Sequence, residues 1–238
     1  MSQLMDIDRL YGDLKRNKWP RYFAVFCRIA LALGFIPSAI VKLRGERFTG
    51  LPPNHPLGHY FDALHLTGYY YTFIGVAQLA AAVLLLIPRT ALLGALVYFP
   101  IMLNICVLTY AVRFEGTRIA TFMLLANVFL LVWDYDRLSH VLPFRRREEV
   151  DYVPDKNSKF PAWFFICVFA ALGSVVVVNQ FMYDIRPGNM KLECTNMCKG
   201  KGNPDDCLRF CDCIYDQGHP LHDCLREYEQ AEGKGAAP

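Results

Sequence analysis

The chain has 238 residues, of which 54% are hydrophobic and 20% are charged, with a formal net charge of +3. With a mean hydropathy of +0.20, it is too apolar for an ordinary soluble domain and fits a membrane protein that carries a soluble appendage. The small and scattered charge excess excludes nucleic acid as the default partner, because no basic stripe accompanies it.

Five apolar stretches predict membrane-spanning α-helices. A helix needs roughly 20 apolar residues to cross a hydrocarbon core of about 30 Å. In chain order the stretches cover approximately residues 22–41, 69–87, 91–112, 117–133 and 160–183. The fourth is short, and it spans only if Arg118 and Asp134 reach the headgroups or the bilayer thins locally. A buried helix of a soluble domain is the alternative for that stretch.

Lysine and arginine residues predict the orientation of these spans, because positive residues in short loops are retained in the cytoplasm. Residues 1–21 form a basic N-terminal arm, and the basic loop 139–159 contains three consecutive arginines at 145–147. Five spans with both segments in the cytoplasm place the tail, residues 184–238, in the periplasm or outside the cell. This arrangement predicts a multi-pass membrane protein with a cytoplasmic N-terminus. A cleaved signal peptide is disfavoured for the first span, since its apolar run is long and no clean cleavage pattern follows.

A few polar side chains fall inside the predicted spans, where they are costly without partners. Gln78, Asn104 and Asn127 lie near mid-membrane, and Arg28 lies about two turns from the cytoplasmic end of the first span. One interpretation is an intramembrane polar cluster that joins helices through hydrogen bonds worth roughly 0.6 kcal/mol each. The other is a binding site for a quinone headgroup or small polar ligand, with Arg28 as its charged donor. Because no other span contains an acidic residue, we expect a neutral partner for Arg28.

Histidines predict two weak candidate metal sites on the outer side. The segment HPLGHYFDALH would as a helix place four potential ligands within one arc of about 120°. They are His55, His59, Asp62 and His65. In the tail, His219 and His222 lie close to Cys224, which gives a second set of metal-compatible side chains. An interfacial role is the alternative for the first set, because Pro56 and Gly58 weaken that helix.

Six of the nine cysteines cluster in the tail, where two pairs have the four-residue spacing that places both members on one face of a helix. An antiparallel hairpin of two helices, joined over residues 200–204, favours one disulfide register. Its pairs are Cys194 with Cys211, Cys198 with Cys207, and Cys213 with Cys224. In an oxidising compartment these bonds stabilise a tail with too little core to fold alone. A metal site is the alternative, although the chain has no Cys-x-x-Cys motif for zinc or thiol exchange.

Several motifs of the first four stretches are similar to those of a known family. They are RIALALGFIPSAIVKL, YYYTFIGVAQLAAAVLLLIPRTALLGAL, IMLNICVLTY and MLLANVFLLVWDYDRL. With these motifs, residues 22–138 resemble the DoxX-like family of small bacterial four-helix membrane proteins. The resemblance implies an up-and-down bundle, sometimes associated with membrane oxidoreductases and quinone chemistry. Gln78 stands where many relatives carry an acidic residue, and the fifth span and the tail are not covered.

These features predict an all-α membrane protein: a four-helix transmembrane bundle over 22–138, a fifth transmembrane helix over 160–183 and a small disulfide-stapled helical tail. The expected function is a non-catalytic accessory subunit that anchors or stabilises a membrane redox or energy-transducing complex, such as a respiratory complex. Its tail would face partners outside the membrane. The alternatives are a quinone-interacting oxidoreductase subunit and an outer-face metal-binding or thiol-handling factor. The lipid bilayer and other membrane subunits are the expected partners. No cofactor is required, a quinone or lipid is an optional ligand, and a metal is disfavoured.

Overall fold

The computed structural model describes residues 2–141, 152–153, 155, 158–183, 185–188 and 190–231. Within these ranges the regular structure is α-helical, and one isolated bridge pairs Asn17 with Asp155. The predicted all-α class is therefore confirmed for the described residues. The arginines at 145–147, which support the predicted cytoplasmic loop, lie outside them.

The helices of the described chain are numbered here in chain order. They are α1 (Ser2–Arg16), α2 (Lys18–Leu43), α3 (Pro56–Leu66), α4 (Tyr69–Leu86), α5 (Ala91–Ala111), α6 (Thr117–Trp133), α7 (Tyr135–Val141), α8 (Ala162–Met182), α9 (Lys191–Cys198), α10 (Pro204–Tyr215) and α11 (Leu221–Ala231). The N-terminal arm is thus largely helical, which the sequence analysis did not predict.

In the part of the chain that the structure describes, four helices are long and apolar enough to cross a membrane: α2, α4, α5 and α8. They match the first, second, third and fifth predicted spans. Large apolar side chains such as Phe26, Phe73 and Phe169 are exposed on them, as expected of surfaces that face lipid tails. The protein is thus membrane-embedded. Helix α6, which matches the fourth predicted span, is shorter at 17 residues.

Helices α4 and α5 approach each other closely at the turn between them. A Cβ atom added to Gly94 would lie 2.6 Å from the backbone nitrogen of Leu85, so this approach requires glycine. Thr90 Oγ1 donates a hydrogen bond to the Leu84 carbonyl at 3.0 Å. That carbonyl belongs to the last turn of α4, where the helix supplies no partner of its own.

The chain divides into two compact units, and the boundaries fall inside α2, α4, α5, α6 and α8. Unit 1 comprises Met1–Pro37, Ala77–Asn104 and Thr121–Val178. In its core the rings of Phe35 and Tyr98 stack with centroids 3.7 Å apart. The Tyr98 hydroxyl donates to the Leu31 carbonyl at 3.4 Å, so this buried phenol has a partner.

Unit 2 comprises Ser38–Val76, Ile105–Ala120 and Asn179–Pro238. Its tail has a buried core in which the six cysteines surround a few apolar side chains. These are Ile185, Phe210, Ile214, Leu221 and Tyr228. Helix α10 packs against both α9 and α11 and is the central element of the tail. The two tail helices predicted from the cysteine spacing are α9 and α10, whereas α11 was not predicted.

Candidate functional site

The first feature of the candidate site in unit 1 is an ion pair between Arg28 of α2 and Asp134, which directly follows α6. The guanidinium Nη2 lies 3.3 Å from Asp134 Oδ2, and Lys15 Nζ lies 3.7 Å from Asp134 Oδ1. The expectation of a neutral partner for Arg28 is therefore wrong. Asp134 flanks the fourth predicted span, and its carboxylate is 11% exposed and is shared by two cations.

A cavity of about 360 Å³ surrounds this ion pair within unit 1. Among the described residues, its walls hold six charged side chains: Lys15, Arg21, Arg28, Arg137, Asp134 and Asp136. The volume lies in the range of about 300–1,000 Å³ that is common for small-molecule sites. The cavity is therefore large enough for a small ligand, and its described walls are rich in charge.

Helix geometry explains why α2 lines this cavity. Arg21, Ala24, Val25 and Arg28 have the i, i+3, i+4, i+7 spacing that defines one helix face. The side chains at the two ends of this face are cationic and those between them are apolar. One stripe of α2 thus supplies both charge and apolar surface.

Lys15 closes another side of the cavity from the last turn of α1. Its Nζ lies 4.6 Å from the centroid of the Trp133 ring and 5.5 Å from that of Tyr11, which are cation–π distances. Burial lowers the pKa of Lys15, while Asp134 and Asp136 act in the opposite direction. The Tyr11 hydroxyl donates to the Trp133 carbonyl at 2.8 Å, and burial raises the pKa of this phenol. Tyr11 is therefore neutral and acts as a donor.

The remaining members of the predicted intramembrane cluster are not among the residues that line the cavity. Gln78 is buried in α4, whereas Asn104 of α5 is exposed. Asn127 is fully buried and its Nδ2 donates to the Ala95 carbonyl at 3.2 Å. Asn127 thus joins α6 to α5 by a hydrogen bond.

The members of the histidine set predicted over residues 55–65 have separate contacts, all within unit 2. His55 is fully buried at the N-cap of α3, where its Nδ1 accepts from the Leu57 backbone N–H at 3.1 Å. Asp62 pairs with Arg47 at 2.7 Å, and His65 Nε2 lies 2.9 Å from the Gly45 carbonyl oxygen. Burial lowers the pKa of His55 to about 4. These side chains stabilise the segment, and His59 is exposed.

No histidine cluster suited to a metal forms among the residues that the structure describes. His219 and His222 are exposed, and His222 Nδ1 lies 3.0 Å from an Arg226 guanidinium nitrogen. In the same described ranges, the one group with metal-compatible spacing is formed by Cys198, Cys207 and Cys211. All three sulfurs belong to disulfides, so they offer no thiolate to a metal.

The tail contains three disulfides in the predicted register. They are Cys194–Cys211, Cys198–Cys207 and Cys213–Cys224. The first two join α9 to α10, and the third joins α10 to α11. The cysteines of the long apolar helices, Cys27, Cys106 and Cys167, remain thiols.

Polar contacts attach the stapled tail to the rest of unit 2. Asn54 Nδ2 donates to the carbonyls of Ile214 and His219 at 2.7 and 2.8 Å. Arg113, in the turn between α5 and α6, lies 3.6 Å from Glu229 of α11. The loop before α3 and the turn after α5 therefore hold the tail in a defined position within this unit. Sequence analysis missed both contacts because their partners are more than a hundred residues apart.

The fold and these sites define a multi-helix membrane protein with a charged cavity and a disulfide-stapled helical tail. No family model matches the chain. The uncharacterized protein YwoB of Bacillus subtilis (strain 168) is 37% identical over 130 residues, which are 52% of this chain and 82% of YwoB. The chain belongs to the same family as YwoB.

A shorter match concerns a small protein of different origin. The potassium channel toxin Ts16 of Tityus serrulatus is 40% identical over 45 residues, which are 18% of this chain and 78% of the toxin. No solved structure matches the chain.

Proposed function

We propose that the protein is a non-catalytic accessory subunit that anchors or stabilises a membrane redox or energy-transducing complex. The observation that carries this proposal is the exposure of α8. In the 18-residue apolar segment of α8 only 17% is buried, whereas 33–39% is buried in the corresponding segments of α2, α4 and α5. A helix that contributes so little to the fold of its own chain is available to pack against a partner subunit.

The exposed surface of α8 is also rich in small residues. Cys167, Ala170, Ala171, Gly173 and Ser174 are all exposed. Small side chains let the backbones of two membrane helices approach closely, and such packing drives helix association in lipid. A Cβ atom added to Gly173 would meet no atom within 4 Å. This surface is therefore open to a transmembrane helix of another subunit.

The topology proposed for this role has five spans, with α6 as the fourth. Seventeen residues give a helix of about 26 Å, slightly less than the hydrocarbon thickness of about 30 Å. The basic arm and the loop 139–159 support a cytoplasmic N-terminus, with the stapled tail outside the bacterial inner membrane. Three disulfides in the tail support this orientation, because such bonds persist in oxidising compartments.

The bundle proposed for α2, α4, α5 and α6 is the up-and-down arrangement of the DoxX-like family. Support comes from the motifs of residues 22–138 and from the tight turn between α4 and α5. The association with a membrane redox complex is proposed because the resemblance to this family implies it.

A second role is proposed for the tail, which is to contact a partner outside the membrane. Ts16 is by its name a toxin of a potassium channel. By analogy with that name, we propose that the tail of this chain also contacts another membrane protein. Leu192 of α9 and Leu208 of α10 are exposed on the tail and offer apolar contact area.

Co-purification from native membranes tests the proposal. The full-length protein is extracted with its surrounding lipid, and co-purifying proteins are quantified by mass spectrometry for the wild type and for Gly173→Leu. We expect a membrane redox subunit in stoichiometric amount, reduced at least fivefold by Gly173→Leu. Ala80→Leu, the matched control on an exposed position of α4, should leave recovery unchanged. Absence of any stoichiometric partner, or equal loss in both variants, would contradict the accessory role.

A further inference from the structure

We propose that helix α3 lies in the headgroup region of the membrane and buries its exposed apolar face among lipids. The partner of this surface is the lipid bilayer, in the leaflet where α4 begins. The inference does not depend on the accessory role. It uses only residues of unit 2 and the length and apolar character of α4, which suit a membrane-crossing helix.

The position of α3 in the chain places it at the membrane boundary. Helix α4 has 18 residues and is therefore about 27 Å long, slightly less than the hydrocarbon thickness of about 30 Å. The whole of α4 is thus needed to cross, and its first residue, Tyr69, lies at one boundary. Only Thr67 and Gly68 separate Tyr69 from Leu66, the last residue of α3. Helix α3 therefore ends within about 11 Å of that boundary.

The turn between α3 and α4 has a defined geometry. Gly68 has a φ of 60°, which favours glycine because an added Cβ would be strained there. Its N–H donates to the His65 carbonyl at 3.3 Å, and the Thr67 N–H donates to the Leu64 carbonyl at 3.2 Å. With 11 residues, α3 is about 16 Å long and too short to cross the bilayer itself. It is therefore a boundary helix tied to the start of α4.

The exposed face of α3 is largely apolar. Its exposed residues fall within one arc of about 120° on the helix, and they are Pro56, His59, Tyr60, Ala63 and Leu66. Four of these five present carbon surface, with His59 as the polar exception, and Leu66 is 83% exposed. A helix on a water-exposed surface turns its apolar stripe inward and its polar side chains outward. Helix α3 has the opposite arrangement.

The polar side chains on the other side of α3 are bound by the loop that precedes it. Asp62 pairs with Arg47 at 2.7 Å, and His65 Nε2 lies 2.9 Å from the Gly45 carbonyl oxygen. Both partners lie between the end of α2 and the start of α3. These contacts fix the rotation of α3 about its axis, so that its apolar face points away from the loop.

The apolar face of α3 is followed directly by the exposed aromatic side chains of α4. Tyr69 is 89% exposed, and Tyr70 and Phe73 are exposed as well. Tyrosine is enriched at membrane–water interfaces, because its ring is apolar and its hydroxyl can bind water or headgroups. With Tyr60 on α3, exposed tyrosines lie on both sides of the turn. An interfacial helix buries such a face about 5–10 Å into the headgroup region.

A depth measurement in phosphatidylcholine nanodiscs tests the inference. Trifluoromethylphenylalanine replaces Leu66 or, in a separate sample, Tyr60 of the full-length protein. One arm adds phosphatidylcholine with a nitroxide on its acyl chain near the headgroup, and the other adds an aqueous gadolinium chelate. The readout is the ratio of the two enhancements of fluorine relaxation. We expect this ratio to be about threefold higher at both positions than at Gln217, an exposed position of the tail.

Variants at Leu66 then connect the depth to the apolar face. Leu66→Asp places a charge on that face, and we expect the ratio measured at Tyr60 to fall towards the value at Gln217. Leu66→Met keeps an apolar side chain and is the matched control. Both variants change a side chain that is 83% exposed, so the packing of α3 is retained.

Three results would overturn the inference. Equal ratios at Leu66, Tyr60 and Gln217 would show that α3 faces water. Protection of Leu66 and Tyr60 from both agents would show that protein covers this face. An unchanged ratio at Tyr60 in Leu66→Asp would show that the apolar face does not set the depth of the helix.

Discussion

Arg28 Nη2 lies 3.3 Å from Asp134 Oδ2, so the charge inside the first apolar helix is compensated by a carboxylate 106 residues later in the chain. Both side chains are largely buried, at 16% and 11% exposure. The pair joins α2 to the end of α6 and forms one wall of the charged cavity.

Removing one member of this pair should destabilise the protein. Arg28→Leu leaves Asp134 with the more distant Lys15, and loss of one partner of a buried pair costs roughly 3–5 kcal/mol. We expect a lower unfolding temperature in detergent and reduced recovery of monodisperse protein. The double variant Arg28→Leu with Asp134→Leu should regain part of the loss, because the buried carboxylate is removed as well, while Lys15 loses its partner at 3.7 Å. Arg44→Leu, at an exposed arginine, serves as the control, and equal stability of Arg28→Leu and Arg44→Leu would contradict this account.

The disulfides can be counted by alkylation. Denatured, non-reduced protein should take up three alkyl groups, on Cys27, Cys106 and Cys167, whereas reduction should raise the number to nine. Intact-mass measurement gives both numbers directly. An uptake of nine groups before reduction would show that the tail cysteines are thiols, and a stoichiometric metal in that sample would favour the ligand alternative.

Whether a feature of this structure can be predicted from the sequence depends on how far apart in the chain the interacting residues are. The apolar helices and the cystine register were predictable because apolar length and a four-residue cysteine spacing are local patterns. For example, α5 ends at Ala111, close to the predicted end of the third stretch at residue 112. The partner of Arg28 was not predictable by the same means. Asp134 lies after the fourth apolar stretch, and only the packing of α2 beside α6 makes it available. The histidine spacing predicted a shared arc but not that His55 would cap α3.

Acid should destabilise the protein through His55. Its pKa in the folded state is about 4, below the ordinary value of 6.5, because burial disfavours the charged ring. As the pH falls, His55 is therefore protonated in the unfolded chain before it is protonated in the folded protein. The contribution of neutral His55 to stability is complete above about pH 6.5 and is lost progressively down to about pH 4, by roughly 3 kcal/mol.

Protonation also converts Nδ1 from acceptor to donor, which breaks the bond from the Leu57 N–H. We expect the unfolding temperature to fall less between pH 7.5 and 4.5 in His55→Asn than in the wild type, since asparagine caps a helix without titrating in this range. His59→Asn changes an exposed histidine and should behave like the wild type. Identical pH profiles for wild type and His55→Asn would rule out His55 as the cause.

The proposed topology predicts opposite accessibility for the basic loop and the tail. A membrane-impermeant maleimide applied to intact cells should label Gln217→Cys in the tail at once. Lys159→Cys, just before α8, should be labelled only after the cells are permeabilised. Both positions are exposed on the protein itself, so a difference reports the membrane and not burial. Labelling of both positions from the same side would mean that α8 does not cross the bilayer.

The most direct test of the accessory role is photo-cross-linking in native membranes from a single position on α8. A photoreactive residue in place of Ala170 should form an adduct with a different membrane protein, which mass spectrometry then identifies. The same residue in place of Ala80, exposed on α4, should yield no such adduct. Cross-linking of Ala170 only to lipid, or an equal pattern from both positions, would contradict a partner subunit on α8.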